Sequence, residues 1–151
     1  MSQKVSEPHL SAWKALLRTH PSILRKIEAD LAEQGQIPLG SYDVLFELSS
    51  APNRRLRMAE LAERVVLSRS GLTRLVERLE GEGYLIRENS PTDRRGVEAV
   101  LTDAGLKALK AAWPTYAKGI NTCFARHFTA DEAEMLRGAL ERVLPASEEK
   151  N

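Results

Sequence analysis

The chain has 151 residues, of which 42% are hydrophobic, and a formal net charge of +1. This length suits one domain with appended helices, and the apolar fraction is sufficient for a packed core. No segment approaches the roughly 18 apolar residues of a membrane span, and the first residues lack the hydrophobic centre of a signal peptide, so we expect a cytoplasmic protein.

The first part of the chain predicts one long amphipathic helix over residues 7–35. Between residues 10 and 31, apolar side chains recur at steps of three and four. Pro21 lies inside this pattern, so we expect a kink or a break near His20. An apolar seam of this length is expected to pack against a partner, because one helix cannot cover it.

A shorter helix is predicted over residues 41–48, after a connector. Its inward side chains would be Tyr42, Leu45, Phe46 and Leu48. Residues 56–57 then predict a short β-strand that pairs with a hairpin further along the chain.

Residues 57–79 predict two helices joined by a tight turn, with Ser68 as the N-cap of the second. One side of the second helix is an apolar stripe of Leu72, Leu75, Val76 and Leu79. The opposite side carries Arg69, Ser70, Thr73, Arg74, Glu77 and Arg78, and Ser68 would contact DNA as well as cap the helix. Short hydroxyls and arginines are concentrated in its first turns. Because these groups match phosphates and base edges, the pattern predicts a helix-turn-helix whose second helix lies in a DNA major groove. The alternative is a solvated face with charge pairs between successive turns.

Residues 84–101 predict a β-hairpin. Two β-prone runs flank a tip that contains proline, aspartate and glycine. Arg94 and Arg95 lie at this tip, which suits insertion into a narrow groove of DNA. The alternative is an ordinary polar hairpin tip.

The basic charge is concentrated in the same segment. Between Arg54 and Arg95, ten arginines accompany seven acidic residues, whereas the rest of the chain has a net charge of −2. A local excess of arginine supports nucleic-acid binding, although the total charge of the chain is nearly zero.

Two further helices are predicted after the hairpin. Thr102 would cap the first, whose apolar seam covers residues 106–124 with a bend at Pro114. Thr129 and Glu132 form a capping box for the second. Its inner face would comprise Met135, Leu136, Ala139, Leu140 and Val143.

The sequence shows no catalytic or metal-binding pattern. His9, His20 and His127 are far apart and have no cysteine or carboxylate at ligand spacing. The single cysteine, Cys123, excludes an intrachain disulfide; we expect a buried core residue, and a redox sensor is the alternative. We therefore expect no enzyme, no cofactor and no metal.

Four segments resemble the winged helix-turn-helix of the MarR family of bacterial regulators. They are Ser-Arg-Ser-Gly-Leu-Thr-Arg-Leu-Val at 68–76, Leu-Glu-Gly-Glu-Gly-Tyr-Leu at 79–85, Asp-Arg-Arg-Gly at 93–96 and Leu-Thr-Asp-Ala-Gly at 101–105. The resemblance implies a mainly α fold with a small β-hairpin wing (α+β). It also implies flanking dimerisation helices at 7–35 and 102–145 around a DNA-binding lobe at 36–101.

The resemblance further implies roles for the hairpin tip and for an effector. Asp93 and Arg95 would form a pair that stiffens the wing, and Arg94 would enter the minor groove. Family members often bind small aromatic or anionic effectors between the dimer helices and the DNA-reading lobe. The residues here that would line such a pocket are Trp13, Leu17, His20, Tyr42, Leu45 and Trp113. The alternative is that these are simply core and dimer-seam residues.

Together these features predict a homodimeric, sequence-specific regulator of transcription that binds a pseudo-palindromic operator in double-stranded DNA. By the habit of the family, it would be a repressor released by a small-molecule effector. The alternative function is a winged-helix protein-interaction module without DNA binding.

Overall fold

The computed structural model describes residues 4–66 and 71–144. These residues form six α-helices and one three-stranded antiparallel sheet. The helices are α1 Glu7–Glu33, α2 Leu39–Ser50, α3 Met58–Arg64, α4 Leu72–Gly81, α5 Asp103–Cys123 and α6 Ala130–Glu141, and the strands are β1 Arg55–Arg57, β2 Leu85–Asn89 and β3 Val97–Leu101. The mainly helical α+β fold with a small sheet is confirmed.

The described residues divide into two compact units, one of residues 27–116 and one of residues 4–26 with 117–144. Both long helices contain a proline, Pro21 in α1 and Pro114 in α5. A break near His20 was one of the two expectations for α1. No break is present: α1 is continuous across Pro21, which removes only one N–H donor from the helix.

The core of the first unit forms where α2, α4 and the sheet meet. The predicted apolar stripe of α4 is confirmed, since Leu72, Leu75, Val76 and Leu79 are all buried. In α2, Leu45 and Leu48 are completely buried, but the inward placement of Phe46 was wrong. Its ring is 47% exposed and stacks on Tyr42, one helical turn earlier, at a centroid distance of 6.2 Å.

The sheet has the strand order β1-β3-β2. The hairpin of β2 and β3 places Leu85 opposite Leu101 and Glu88 opposite Glu98. The short strand expected at residues 56–57 is confirmed and also includes Arg55, which lies opposite Val100. The sheet therefore joins the segment before α3 directly to the hairpin.

Thr102 connects the end of the hairpin to α5. Its hydroxyl oxygen accepts the N–H of Gly105 at 3.0 Å, which confirms the expected cap, and the same hydroxyl donates to the carbonyl of Gly83 at 2.7 Å. The Thr102 N–H also donates to the carbonyl of Tyr84 at 3.1 Å. The start of α5 is thus fixed against the turn that follows α4.

The second unit buries little apolar surface in the single chain. The capping box of α6 is confirmed, since Glu132 N–H donates to Thr129 Oγ1 at 3.2 Å and Thr129 N–H to Glu132 Oε2 at 2.8 Å. However, no hydrophobic side chain in the described part of this unit is fully buried. The expected inner face of α6 is largely open, with Met135 73% exposed. Cys123 is likewise partly exposed, whereas the sequence predicts a buried residue.

Candidate nucleic-acid interface

The outward face of α4 is the centre of the candidate interface. Thr73 and Arg74 are exposed in its first turn. Within the part of the chain that the structure describes, neither side chain makes a hydrogen bond or an ion pair. Both side chains are therefore available to bind a ligand. The helix begins at Leu72, after Gly71 with φ of 74°. The sequence-predicted contacts Ser68, Arg69 and Ser70 lie outside the described residues.

Arg78 lies on the same helix but is already engaged. Its guanidinium donates to Oγ of the buried Ser41 at 3.3 Å, and its Nε lies 3.8 Å from Glu82 Oε1. The hydroxyl of Ser41 belongs to α2, so this contact joins α4 to the core. Arg78 therefore has a structural function in this conformation, beside any contact with DNA.

An ion-pair cluster joins α4 to the first strand of the hairpin. Arg87 donates to Glu80 from its backbone N–H at 2.7 Å and from two guanidinium nitrogens at 3.1 and 2.9 Å, and it lies 3.8 Å from Glu77. These hydrogen bonds hold the pKa of the Glu80 carboxyl below its ordinary value. Ion pairs and hydrogen bonds therefore connect the hairpin to α4, in addition to the short loop between them.

The wing tip, defined here as residues 90–96, carries the other predicted cations. Asp93 does bond to Arg95, but through the backbone: the Arg95 N–H donates to Asp93 Oδ1 at 3.0 Å. The charged partner of Asp93 is Arg57, at 3.7 Å. In the described residues, the side chains of Arg94 and Arg95 are exposed and make no ion pair.

A groove of about 490 Å³ lies between α3, α4 and the wing tip. Its lining includes Thr73 and Arg95, which the sequence predicted, and Arg57 and Arg87, which it did not. One pattern could have revealed Arg57: the alternation of Arg55 and Arg57 places both side chains on one face if the predicted strand begins one residue earlier, as β1 does. The groove thus brings α4 and wing residues to one surface.

Arg55 neutralises two glutamates on the sheet. Glu88 and Glu98 lie directly opposite each other on neighbouring strands, an arrangement that is unfavourable for like charges. Arg55 lies 3.3 Å from Glu88 and 3.0 Å from Glu98, and the Glu98 side chain is only 12% exposed. One guanidinium therefore compensates both carboxylates at the base of the wing.

Replacing Arg55 by methionine is expected to lower the free energy of unfolding by about 2 kcal/mol, because the buried Glu98 carboxylate is left without its donor. The double variant Arg55→Met/Glu98→Gln should regain most of this loss. Urea denaturation of both variants and of Glu98→Gln alone measures the coupling. Equal stabilities of the Arg55→Met and wild-type chains would contradict this explanation.

The predicted effector residues are distributed over both units. In the first, Tyr42 packs edge-on against Tyr116 at 4.9 Å and lies 6.5 Å from Trp113, which is half exposed. Burial raises the pKa of the Tyr42 and Tyr116 hydroxyls, and the neighbouring Tyr116 and Asp43, respectively, raise them further. Leu45 is completely buried in the core. The remaining three, which belong to the second unit and are exposed, are Trp13, Leu17 and His20.

Two kinds of feature are absent from the described residues. No three histidine, cysteine, aspartate or glutamate side chains there lie close enough to hold a metal ion. None of the helices in the described ranges combines the length and hydropathy that crossing a membrane requires.

Known proteins match the chain in both sequence and fold. The MarR family model matches residues 36–96. The transcriptional repressor MdtR of Bacillus subtilis is 29% identical over 143 residues, which cover 87% of this chain and 87% of MdtR. AbsC, a MarR family transcriptional regulator from Streptomyces coelicolor, matches with a TM-score of 0.85 and 27% identity over 94% of this chain and 95% of its own. Sco3205, from the same organism and family and solved in complex with DNA, matches with a TM-score of 0.84 and 27% identity over 99% of this chain and 97% of its own. In sequence and in fold, the chain therefore matches MarR family winged helix-turn-helix transcriptional regulators.

Proposed function

We propose that the chain is a homodimeric, sequence-specific DNA-binding regulator of transcription. The observation that carries this proposal is the division of α4 into two faces. Its leucine and valine side chains are buried in the core, while Thr73 and Arg74 are exposed and have no partner in the described residues. A polar, arginine-bearing helix face on a rigid core is what major-groove recognition requires.

The contacts would divide between the two parts of the surface. Thr73 and Arg74, with the predicted Ser68, Arg69 and Ser70, would read base edges or phosphates in the major groove. The wing tip would hold Arg94 and Arg95 at the neighbouring minor groove, with Asp93 ordering their backbone. Phosphate contacts would supply most of the affinity and base contacts the specificity. The complex of Sco3205 with DNA, at 27% identity, supports this assignment.

The second unit supports a homodimer. Trp13 and Leu17 on α1 and Met135 on α6 are more than half exposed in the single chain. Such surface is unfavourable in water and suits burial against a second copy. We assign dimerisation to residues 7–35 and 102–145 and DNA binding to residues 36–101.

Repression with release by an effector completes the proposal. The name of MdtR as a repressor, at 29% identity, supports the sign of regulation. For the effector, a small aromatic or anionic compound would contact Tyr42 and Trp113, which lie 6.5 Å apart in the first unit. Such a ligand lowers DNA affinity only if it favours a conformation that binds the operator less tightly.

Selection of bound sites from a random duplex library tests the proposal. We expect a pseudo-palindrome whose half-site centres are about 10 bp apart. Between 50 and 200 mM salt, affinity should fall about 10³–10⁵-fold if roughly 6–10 phosphates are contacted. A chain that enriches no duplex would instead favour the protein-interaction module.

A further inference from the structure

The wing tip is held in shape by short contacts of its own. Ser90 N–H donates to the carbonyl of Gly96 at 2.8 Å, and Gly96 N–H donates to the carbonyl of Asp93 at 3.0 Å. The Arg95 N–H donates to the Asp93 carboxylate, and Ser90, whose hydroxyl lies 3.2 Å from Thr92 Oγ1, is buried. The tip is therefore a closed turn, which holds the backbone of Arg94 and Arg95 in place.

Arg57 bonds to this turn from outside the hairpin. Its guanidinium donates to Thr92 Oγ1 at 3.3 Å and lies 3.7 Å from Asp93 Oδ2. Arg57 ends β1, and its backbone N–H donates to Glu60 of α3 at 3.3 Å, so its main chain is fixed where the helix-turn-helix begins. Among the described residues, no other side chain from outside the hairpin bonds to a side chain of the wing tip.

We propose that Arg57 is a positioning residue for DNA binding. Through Thr92 and Asp93 it fixes the wing tip, and with it Arg94 and Arg95, relative to the start of α4. The groove between these elements supports this assignment, because Arg57, Thr73 and Arg95 line it together. The inference rests on the proposed function, since the position of the wing tip matters only if the tip contacts DNA.

A second role for Arg57 would be a direct phosphate contact, since 42% of its side chain is exposed. The two roles differ in how the loss of Arg57 combines with the loss of the tip arginines. A positioning residue has nothing left to position once Arg94 and Arg95 are removed, so the two losses are not additive. A direct contact is independent of them, so its loss multiplies with theirs.

The test compares Arg57→Met with a matched control, Arg54→Met. The control removes another half-exposed arginine, paired with Asp103 at 3.2 Å, three positions earlier and without contact to the wing tip. Amide exchange without DNA is measured first by NMR, with thermal unfolding to confirm that both variants are folded. We expect the amides of Arg95 and Gly96 to exchange several-fold faster in Arg57→Met and at the wild-type rate in the control. Unchanged exchange at both amides in Arg57→Met would overturn the inference.

Binding is then measured to the duplex of about 30 bp that wild-type protein enriches most from a random library. We expect Arg57→Met to weaken binding roughly fivefold, in line with the loss of one exposed ion pair. In an Arg94→Ala/Arg95→Ala background the same change should leave both Kd and the salt dependence unaltered. A multiplied loss, with a salt slope smaller by about one, would make Arg57 a phosphate contact and overturn the inference. If wild-type protein binds no duplex, the proposed function fails, and the exchange rates still decide whether Arg57 positions the tip.

Discussion

The double variant Arg74→Glu/Arg94→Glu is expected to bind the selected duplex roughly 10²–10³-fold more weakly than wild-type protein, since each reversal replaces an attraction to DNA by a repulsion and occurs twice in a dimer. Both side chains are exposed, and neither has an ion-pair partner in the described residues. Their replacement should therefore leave the free energy of unfolding almost unchanged. Fluorescence anisotropy with a labelled duplex measures Kd, and urea denaturation measures stability.

The matched control is Lys107→Glu/Lys110→Glu, which changes the net charge of the chain by the same amount. Both lysines are exposed on α5 and make no ion pair within the described ranges. Because charges beyond a Debye length are screened, we expect this control to change Kd by about twofold or less at 0.15 M salt. Equal losses in the two variants would show that bulk charge decides binding, and full retention of affinity by the arginine variant would refute the assignment of α4 and the wing.

The helical elements could be predicted from the sequence because they depend on local periodicity. Helix α4 carries apolar side chains on one face and polar side chains on the other, so burial of the apolar face follows directly from the sequence. Phe46 shows the limit of that argument. It is as apolar as its neighbours in α2, but the helix turns it to the surface, where Tyr42 offers a stacking partner. Periodicity does not show which of several apolar residues faces the core.

The sequence predicted the position of the wing, but it did not predict the side-chain contacts that hold the wing against the rest of the lobe. Arg57 and Asp93 are 36 positions apart, and only the pairing of β1 with β3 brings them together. The resemblance implied a pair between Asp93 and Arg95, and the contact is present, but through a backbone amide. Arg87 and Glu80 likewise meet because the hairpin returns beside α4. Side-chain partners of this kind depend on tertiary packing, which no local pattern in one sequence reveals.

Gly105→Ala is expected to lower the free energy of unfolding by about 3 kcal/mol, although alanine is the better helix former. A Cβ at this position would lie 2.0 Å from the carbonyl oxygen of Tyr84 and 2.7 Å from Leu101 Cδ1. The Tyr84 carbonyl cannot rotate away, because it also accepts the N–H of Thr102 at 3.1 Å. The start of α5 would therefore have to move away from the hairpin, with loss of that bond.

Gly81→Ala is the matched control, because Gly81 ends α4 and a Cβ there would meet nothing within 4 Å. We expect its free energy of unfolding to equal or exceed that of wild-type protein by up to about 1 kcal/mol. Urea denaturation at equal protomer concentration compares the three proteins, because dimer stability depends on concentration. The two glycines are expected to differ in their tolerance of alanine because only Gly105 lies against the backbone of Tyr84, just before β2. If both variants were as stable as wild-type protein, α5 could not lie where the structure places it.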